Sequence, residues 1–252
     1  MYKRQPLGCY VETISFNGGP PIERYAQIEE NQLEVEKRRD EVTTWGDPFI
    51  GGDWAATQRL YGAISGPNAM NVAMGGRGAG VQFTPEGEAA LDRLATPDND
   101  RITGRLDCSP RDFFSDWIFD QHPNRIIQEE DKIVLMYGFM DTVRTIHMNM
   151  SEHPETIEAS WAGHSIGEWQ DGVLVVDTVG FTEDSYRATV RSTSYHTVER
   201  FSLDTEAMTL TRTYEAFDPV YWKEGEVLSG EQVVSLADYP FEPYKCDDRS
   251  VE

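Results

Sequence analysis

Cysteine is scarce in this 252-residue chain: Cys9, Cys108 and Cys246 are all it has, and none stands in a C-x-x-C or C-x-x-H spacing. That excludes the common structural zinc patterns. Positive charge is short as well. Twenty-two Lys and Arg face 44 Asp and Glu, for a formal net charge of −22. Such a field repels phosphate backbones and anionic lipid heads, which argues against nucleic acid and membrane insertion and reads as a solubility device. No apolar run approaches the length that spans a bilayer. Nor does the amino end carry the apolar stretch of a signal peptide, since Met1-Tyr2-Lys3-Arg4-Gln5 leads straight into Pro6-Leu7-Gly8. Those first five residues look like a translated adapter tail on an environmental gene fragment, so a natural start and any export signal with it are expected to be missing. The glycine-rich Gly75-Gly76-Arg77-Gly78-Ala79-Gly80 lacks both the G-x-G-x-x-G and the Walker spacing. No cofactor is therefore expected.

What is present suffices for a folded core, with 39% hydrophobic and 11% aromatic residues. Residues 1–110 read as an irregular wrap with short helices. Tyr25–Val42 is a charged, loosely periodic helix draped on something else. Asp53 is placed to cap a short helix running to Gly62. Thr84-Pro85, with Glu86 and Glu88 behind it, starts a helix that ends near Leu94. Ser109-Pro110 opens another, followed by Phe113, Phe114, Trp117 and Phe119, an aromatic density suited to plugging a core or a barrel mouth.

From residue 124 the period changes to two. Strands are expected at Ile126-Ile127, Lys132–Phe139, Val143–Asn149, Ser165–Trp169, Gly172–Gly180, His196–Ser202, Thr209–Phe217 and Gln232–Leu236, with an Asp-Gly hairpin turn at Gln170-Asp171-Gly172. Short strands at this spacing predict a mainly β protein, with residues 111–252 forming an antiparallel barrel (lipocalin-like or calycin-like) or a sandwich. The two regions read as one structural domain. Cys108 and Cys246 bracket the barrel, and a disulfide between them would stabilise by roughly 3–5 kcal/mol; the alternative is idle thiols.

Several motifs resemble a large group of mostly exported bacterial proteins with no established activity. They are Glu152-His153-Pro154, Trp161-Ala162-Gly163-His164-Ser165-Ile166-Gly167, Leu174-Val175-Val176-Asp177-Thr178 and His196-Thr197-Val198-Glu199-Arg200-Phe201. The likeness covers about residues 105–247, with Ala162 standing for the group's usual Met and Gln170-Asp171-Gly172 for its usual Glu-Gly-Asp. It implies a barrel-like protein of the periplasm or the extracellular space.

Asp177 is the most informative position. Alternation puts it on one face with Val173, Val175 and Val179, and a carboxylate there must be paired, hydrogen-bonded or protonated. It is a candidate acid–base group, or else the partner of Arg144, Arg200 or Arg212. His153, His164 and His196 are three of only five histidines and all fall in the motifs. An imidazole facing Asp177 would make an acid–base pair; the bland alternative is three loop-capping histidines. Arg144 and Arg200 lie in strands, with Glu199 on the face opposite Arg200. Buried arginine pairs with a carboxylate or receives an anionic ligand group. Tyr137, Tyr214, Trp161 and Trp169 either line a cavity or form plain core. Gly163-His164-Ser165-Ile166-Gly167 fits G-x-S-x-G, but the nucleophile elbow needs a helix after it and a hairpin follows here.

Three functions remain open. The first is a barrel enzyme doing cofactor-free acid–base chemistry (elimination or hydration, isomerisation, hydrolysis) on a small, fairly apolar molecule. His153, His164, His196 and Asp177 would be its catalytic residues, and Tyr137, Arg144, Trp161, Arg200 and Tyr214 its substrate contacts. The second is a lipocalin-like carrier of a hydrophobic ligand. The third is a metalloenzyme ligated by the three histidines, whose spacings match no metal motif.

Overall fold

The computed structural model describes residues 3–4, 10–11, 21–42, 49–56, 81–94, 117, 123–138, 142–186, 189–237 and 240–243. All three cysteines, the glycine-rich 75–80 segment and the helix expected after Ser109 lie outside them.

The period-two stretches form strands that close on one another. After a short pair, β1 (Lys3–Arg4) and β2 (Tyr10–Val11), the barrel strands are β3 (Gly52–Ala56), β4 (Asn124–Gln128), β5 (Lys132–Met136), β6 (Val143–His147), β7 (His164–Gln170) and β8 (Val173–Val179). A small hairpin outside the barrel follows, β9 (Asp184–Tyr186) with β10 (Thr189–Arg191). The barrel then resumes with β11 (His196–Asp204), β12 (Thr209–Phe217) and β13 (Leu228–Leu236). Its order is β11-β12-β13-β3-β4-β5-β6-β7-β8, closed through the β8–β11 pairing.

Two features depart from the sequence reading. Residues around Asp53 form strand β3 rather than a capped helix, and β3 closes the barrel between β13 and β4. Asp53 instead takes the Arg125 guanidinium at 2.7 and 2.8 Å, across that seam. The barrel thus takes one strand from the amino-terminal region. Second, the barrel is mixed rather than wholly antiparallel, because β6 and β7 run parallel. Parallel neighbours cannot be joined by a tight turn, so residues 148–163 cross over between them. The β7–β8 hairpin turns as expected at Asp171 and Gly172, both at positive φ (49° and 85°), as the favoured two-residue turn requires.

Helix α1 (Pro21–Val42) packs on β3 and β13, with Val35 buried and Asn31 donating to the Ala237 carbonyl at 2.8 Å. Helix α2 (Pro85–Leu94) starts and stops where expected. Its cap Thr84 accepts from the Gly87 amide at 3.0 Å, and the helix packs on β9 and β10.

Burial alternates along every barrel strand of the site wall, which sorts the side chains into two sets. Arg144, Ile146, Ser165, Leu174, Val176, Thr178, Thr197, Glu199 and Phe201 point inward and are buried. The interior is not purely apolar. Glu199 takes Arg144 on one oxygen and Arg212 on the other, the latter at 2.7 Å. Trp117 plugs this interior as its aromatic neighbourhood suggests, edge-on to Tyr137 and Phe201 at 6.0 and 5.5 Å and beneath the Arg212 guanidinium.

Candidate functional site

The complementary set of side chains points outward from the same wall. His147 on β6, His164 on β7, Asp177 on β8 and His196 on β11 occupy four consecutive strands and alternate with the buried residues. The 148–163 crossover brings His153 over them. Four of the five histidines therefore gather around one carboxylate.

Asp177 accepts on both oxygens: Oδ1 lies 2.8 Å from His153 Nε2 and Oδ2 lies 2.7 Å from His196 Nε2. His153 Nδ1 in turn lies 2.8 Å from His164 Nδ1. His147 stacks on His164, with ring centroids 4.9 Å apart and planes 15° from parallel. His196 rests beside the Phe217 ring at 5.8 Å. Burial pushes the Asp177 carboxyl up, but the hydrogen bonds from His196 and His153 outweigh it and hold it below the usual carboxylate range. Burial, with the His147 and His153 rings alongside, holds His164 below the ordinary histidine value.

The contacts to Asp177 orient the tautomers. An ionised Asp177 can only accept, so His153 and His196 both present Nε2–H to it. In the neutral tautomer of His153 that donates to Asp177, the lone pair is on Nδ1 and accepts from His164 Nδ1–H. Neutral His164 is left with a lone pair on Nε2, which has no hydrogen-bond partner among the described residues. The line is thus His164, His153, Asp177, His196, with a free basic nitrogen on the first imidazole.

The crossover holds His153 through local backbone fit. Pro154 restricts His153 to extended backbone. Ser160 donates its amide to the Gly180 carbonyl at 3.1 Å and accepts from Thr182 at 3.0 Å, which ties the crossover to the end of β8. Gly163 then turns the chain into β7 at φ +67°, where a Cβ would lie 2.7 Å from the Val179 carbonyl oxygen.

All four residues read from the sequence as catalytic meet here. Three of the five read as substrate contacts do not. Arg144, Tyr137 and Tyr214 lie inside the barrel, on the other side of the wall. There Arg144 donates to Ser165 Oγ at 2.9 Å, Thr178 Oγ1 at 2.8 Å and Glu199, while Tyr137 reaches Arg144 at 3.4 Å. Tyr214 packs under the Arg212 guanidinium. Arg200 is outward-facing and pairs at 3.5 Å with exposed Glu215. Trp161, on the crossover, lies beneath the Arg191 guanidinium at 5.6 Å. Asp177 is not paired with any of the three arginines considered, because Arg144 and Arg212 face the opposite side and meet Glu199 while Arg200 meets Glu215. Ser165 is buried and committed to Arg144 and Thr178, with no histidine of the described residues on its hydroxyl, so the serine-nucleophile geometry is absent among the described residues.

His147 was the residue sequence reasoning passed over. Its signal was the alternation of Val143–His147, which puts His147 on the face opposite Arg144. No three His, Cys, Asp or Glu among the described residues form a group that could hold a metal ion. No described helix is long and apolar enough to cross a membrane. Comparison with protein-family models, with curated proteins and with solved structures finds no match to this chain.

Proposed function

We propose that this barrel is an enzyme doing cofactor-free acid–base chemistry on a small, fairly apolar molecule, with His164 as the base. What carries this is the unbroken line of contacts from Asp177 through His153 Nε2 and Nδ1 to His164 Nδ1. A carboxylate at one end stabilises the positive charge that appears when the other end takes a proton. Burial and the neighbouring rings hold that imidazole below the ordinary histidine value, which favours its neutral, proton-accepting form, and histidine is the commonest general base. The surroundings are apolar, with Val179 and Phe217 beside the imidazoles, which suits an uncharged reactant.

The test is a base-sensitive probe. A nitrobenzisoxazole ring opens when a base removes its one acidic C–H, and the product is coloured. The protein is expected to open it faster than free imidazole at equal concentration. His164→Gln is expected to lower that rate about 100-fold, the scale of a positioned general base, and Asp177→Asn by at least tenfold. A parent protein no faster than imidazole, or a His164→Gln variant as fast as the parent, would overturn the assignment.

A further inference from the structure

The registers around Asp177 say more about the reaction than a single base does. His164 pairs with Val179 across β7 and β8, and His196 pairs with Phe217 across β11 and β12. The Thr197–Thr178 pair sets His196 beside Val179 as well. His164, Val179, His196 and Phe217 thus form one row across four adjacent strands, all pointing outward. The two histidines flank Val179, roughly 9.5 Å apart at Cα, which is two strand spacings. The apolar side chain of Val179 lies on the outer wall between the two imidazoles. Asp177 lies one pleat along the same strand and is hydrogen-bonded towards both of them, directly to His196 and through His153 to His164.

The arrangement therefore has two ends. His164 offers Nε2, and His196 offers Nδ1, the nitrogen its contact with Asp177 leaves over; neither has a hydrogen-bond partner among the described residues. A single carboxylate between two imidazoles compensates one added positive charge well and a second poorly. The proposed cycle begins with one added proton shared between the two ends and held on His196, with a base on one side and an acid on the other.

We infer that His164 and His196 form a two-base site that moves a proton from one carbon to another on a flat, uncharged carbon acid seated over Val179. The inference rests on the acid–base reading above and narrows it from any proton transfer to an isomerisation. In the forward direction His164 Nε2 takes the proton from the carbon next to the carbonyl. The C–H bond breaks and its electron pair passes into the carbonyl as an enolate. His196, carrying the shared proton on Nδ1, delivers it to the distant carbon of the conjugated system as the carbonyl re-forms. His164 ends protonated and His196 neutral, so atoms and charge balance without an oxidant or co-reactant, and exchange with water resets the pair. An anionic substrate is disfavoured for a physical reason. Among the described residues the outward-facing arginine nearest this row, Arg200, is already paired with Glu215, and a net charge of −22 repels anions.

The experiment compares two probes on the full chain. The first is a β,γ-unsaturated cyclohexenone, whose conversion to the conjugated enone is followed by absorbance and needs proton removal and return. The second is the nitrobenzisoxazole, which needs removal alone. The parent is expected to accelerate both. His196→Gln is expected to lower the isomerisation about 100-fold while lowering the elimination less than about tenfold, and His164→Gln to lower both about 100-fold. In heavy water the His196→Gln variant still washes deuterium into the carbon next to the carbonyl, although the double bond no longer migrates. If His196→Gln lowers the two reactions equally, or leaves isomerisation untouched while the parent opens the benzisoxazole, the two-base inference fails and the acid–base reading stands. If the parent accelerates neither reaction, both fall. Thermal midpoints of the variants close to that of the parent distinguish lost chemistry from lost fold.

Discussion

At the scale of single residues, the wall between inside and outside separates two kinds of polar chemistry. Glu199 is fully buried, and burial pushes its carboxyl up, but the Arg144 and Arg212 charges beside it reverse the direction and hold it low. Removing one partner of such a buried set strands the others and is strongly destabilising. Its role is to fill and order the barrel interior. Asp177, on the adjacent strand, and His164, two strands away, face outward, are only partly covered and are poised rather than locked. This difference has a measurable consequence. The folded His164 value lies below the unfolded one, so the unfolded chain binds this proton more readily. Its contribution to stability is complete above about pH 6.5, the unfolded value, and is lost as pH falls through the folded one. Urea unfolding between about pH 8 and about pH 5.5 is expected to show stability falling with pH in the parent and falling less steeply in His164→Gln. Equal slopes in the two proteins would mean that His164 is not depressed. Asp177 acts in a separate window: its carboxyl is lowered by His196 and His153, so its contribution is present above about pH 3.9 and disappears on further acidification.

Among the elements, the crossover between β6 and β7 decides the most. Had these strands been antiparallel neighbours joined by a tight turn, no segment would reach back over the wall, and His153 would have no place between Asp177 and His164. The crossover is held by Ser160 against Gly180 and Thr182, and it enters β7 through Gly163. Alanine at Gly163 meets both a positive φ and the Val179 carbonyl oxygen. Gly163→Ala is expected to destabilise by about 1–3 kcal/mol and to slow the benzisoxazole opening by displacing His153, although it removes no functional group. Urea unfolding and the probe rate check both parts; a variant as stable and as fast as the parent would show that the turn does not position the relay. The hairpin between β7 and β8 was legible because Asp-Gly turn chemistry is local. The crossover was not, since nothing in residues 148–163 states whether the next strand pairs parallel or antiparallel.

For the whole molecule, the −22 charge and the closed barrel pull against each other. Compacting so many carboxylates raises their mutual repulsion, which salt screens: the Debye length falls from about 30 Å at 0.01 M to about 8 Å at 0.15 M. The thermal midpoint is expected to rise over that range of sodium chloride. A midpoint that stays flat would mean that the surface carboxylates are too widely spread to repel appreciably. Closure also depends on β3, which comes from far upstream and was expected to be helix-capping sequence. Trp54 in that strand is fully buried and donates its indole N–H to Ile50 at 3.0 Å. Five residues with an aspartate and an alanine pair carry little alternation, so only pairing with β13 and β4 makes them a strand.

The sequence by itself determined the class of the protein, its barrel strands from residue 124 onward though not the β9–β10 hairpin, the β7–β8 turn and the sorting of each barrel strand into two faces. Each of these depends on neighbours a few residues away. Alternation placed Asp177 opposite Thr178 and Glu199 opposite Arg200, while the motifs singled out His153, His164 and His196. What only the tertiary structure decided is which face is the inside. Both faces of β8 carry valine, so the pattern could not say whether Asp177 enters the barrel with Arg144 or leaves it with the histidines. The order and direction of strands far apart in the chain settle that. They put the arginines on Glu199 within, and gather four imidazoles around one carboxylate on the outer wall.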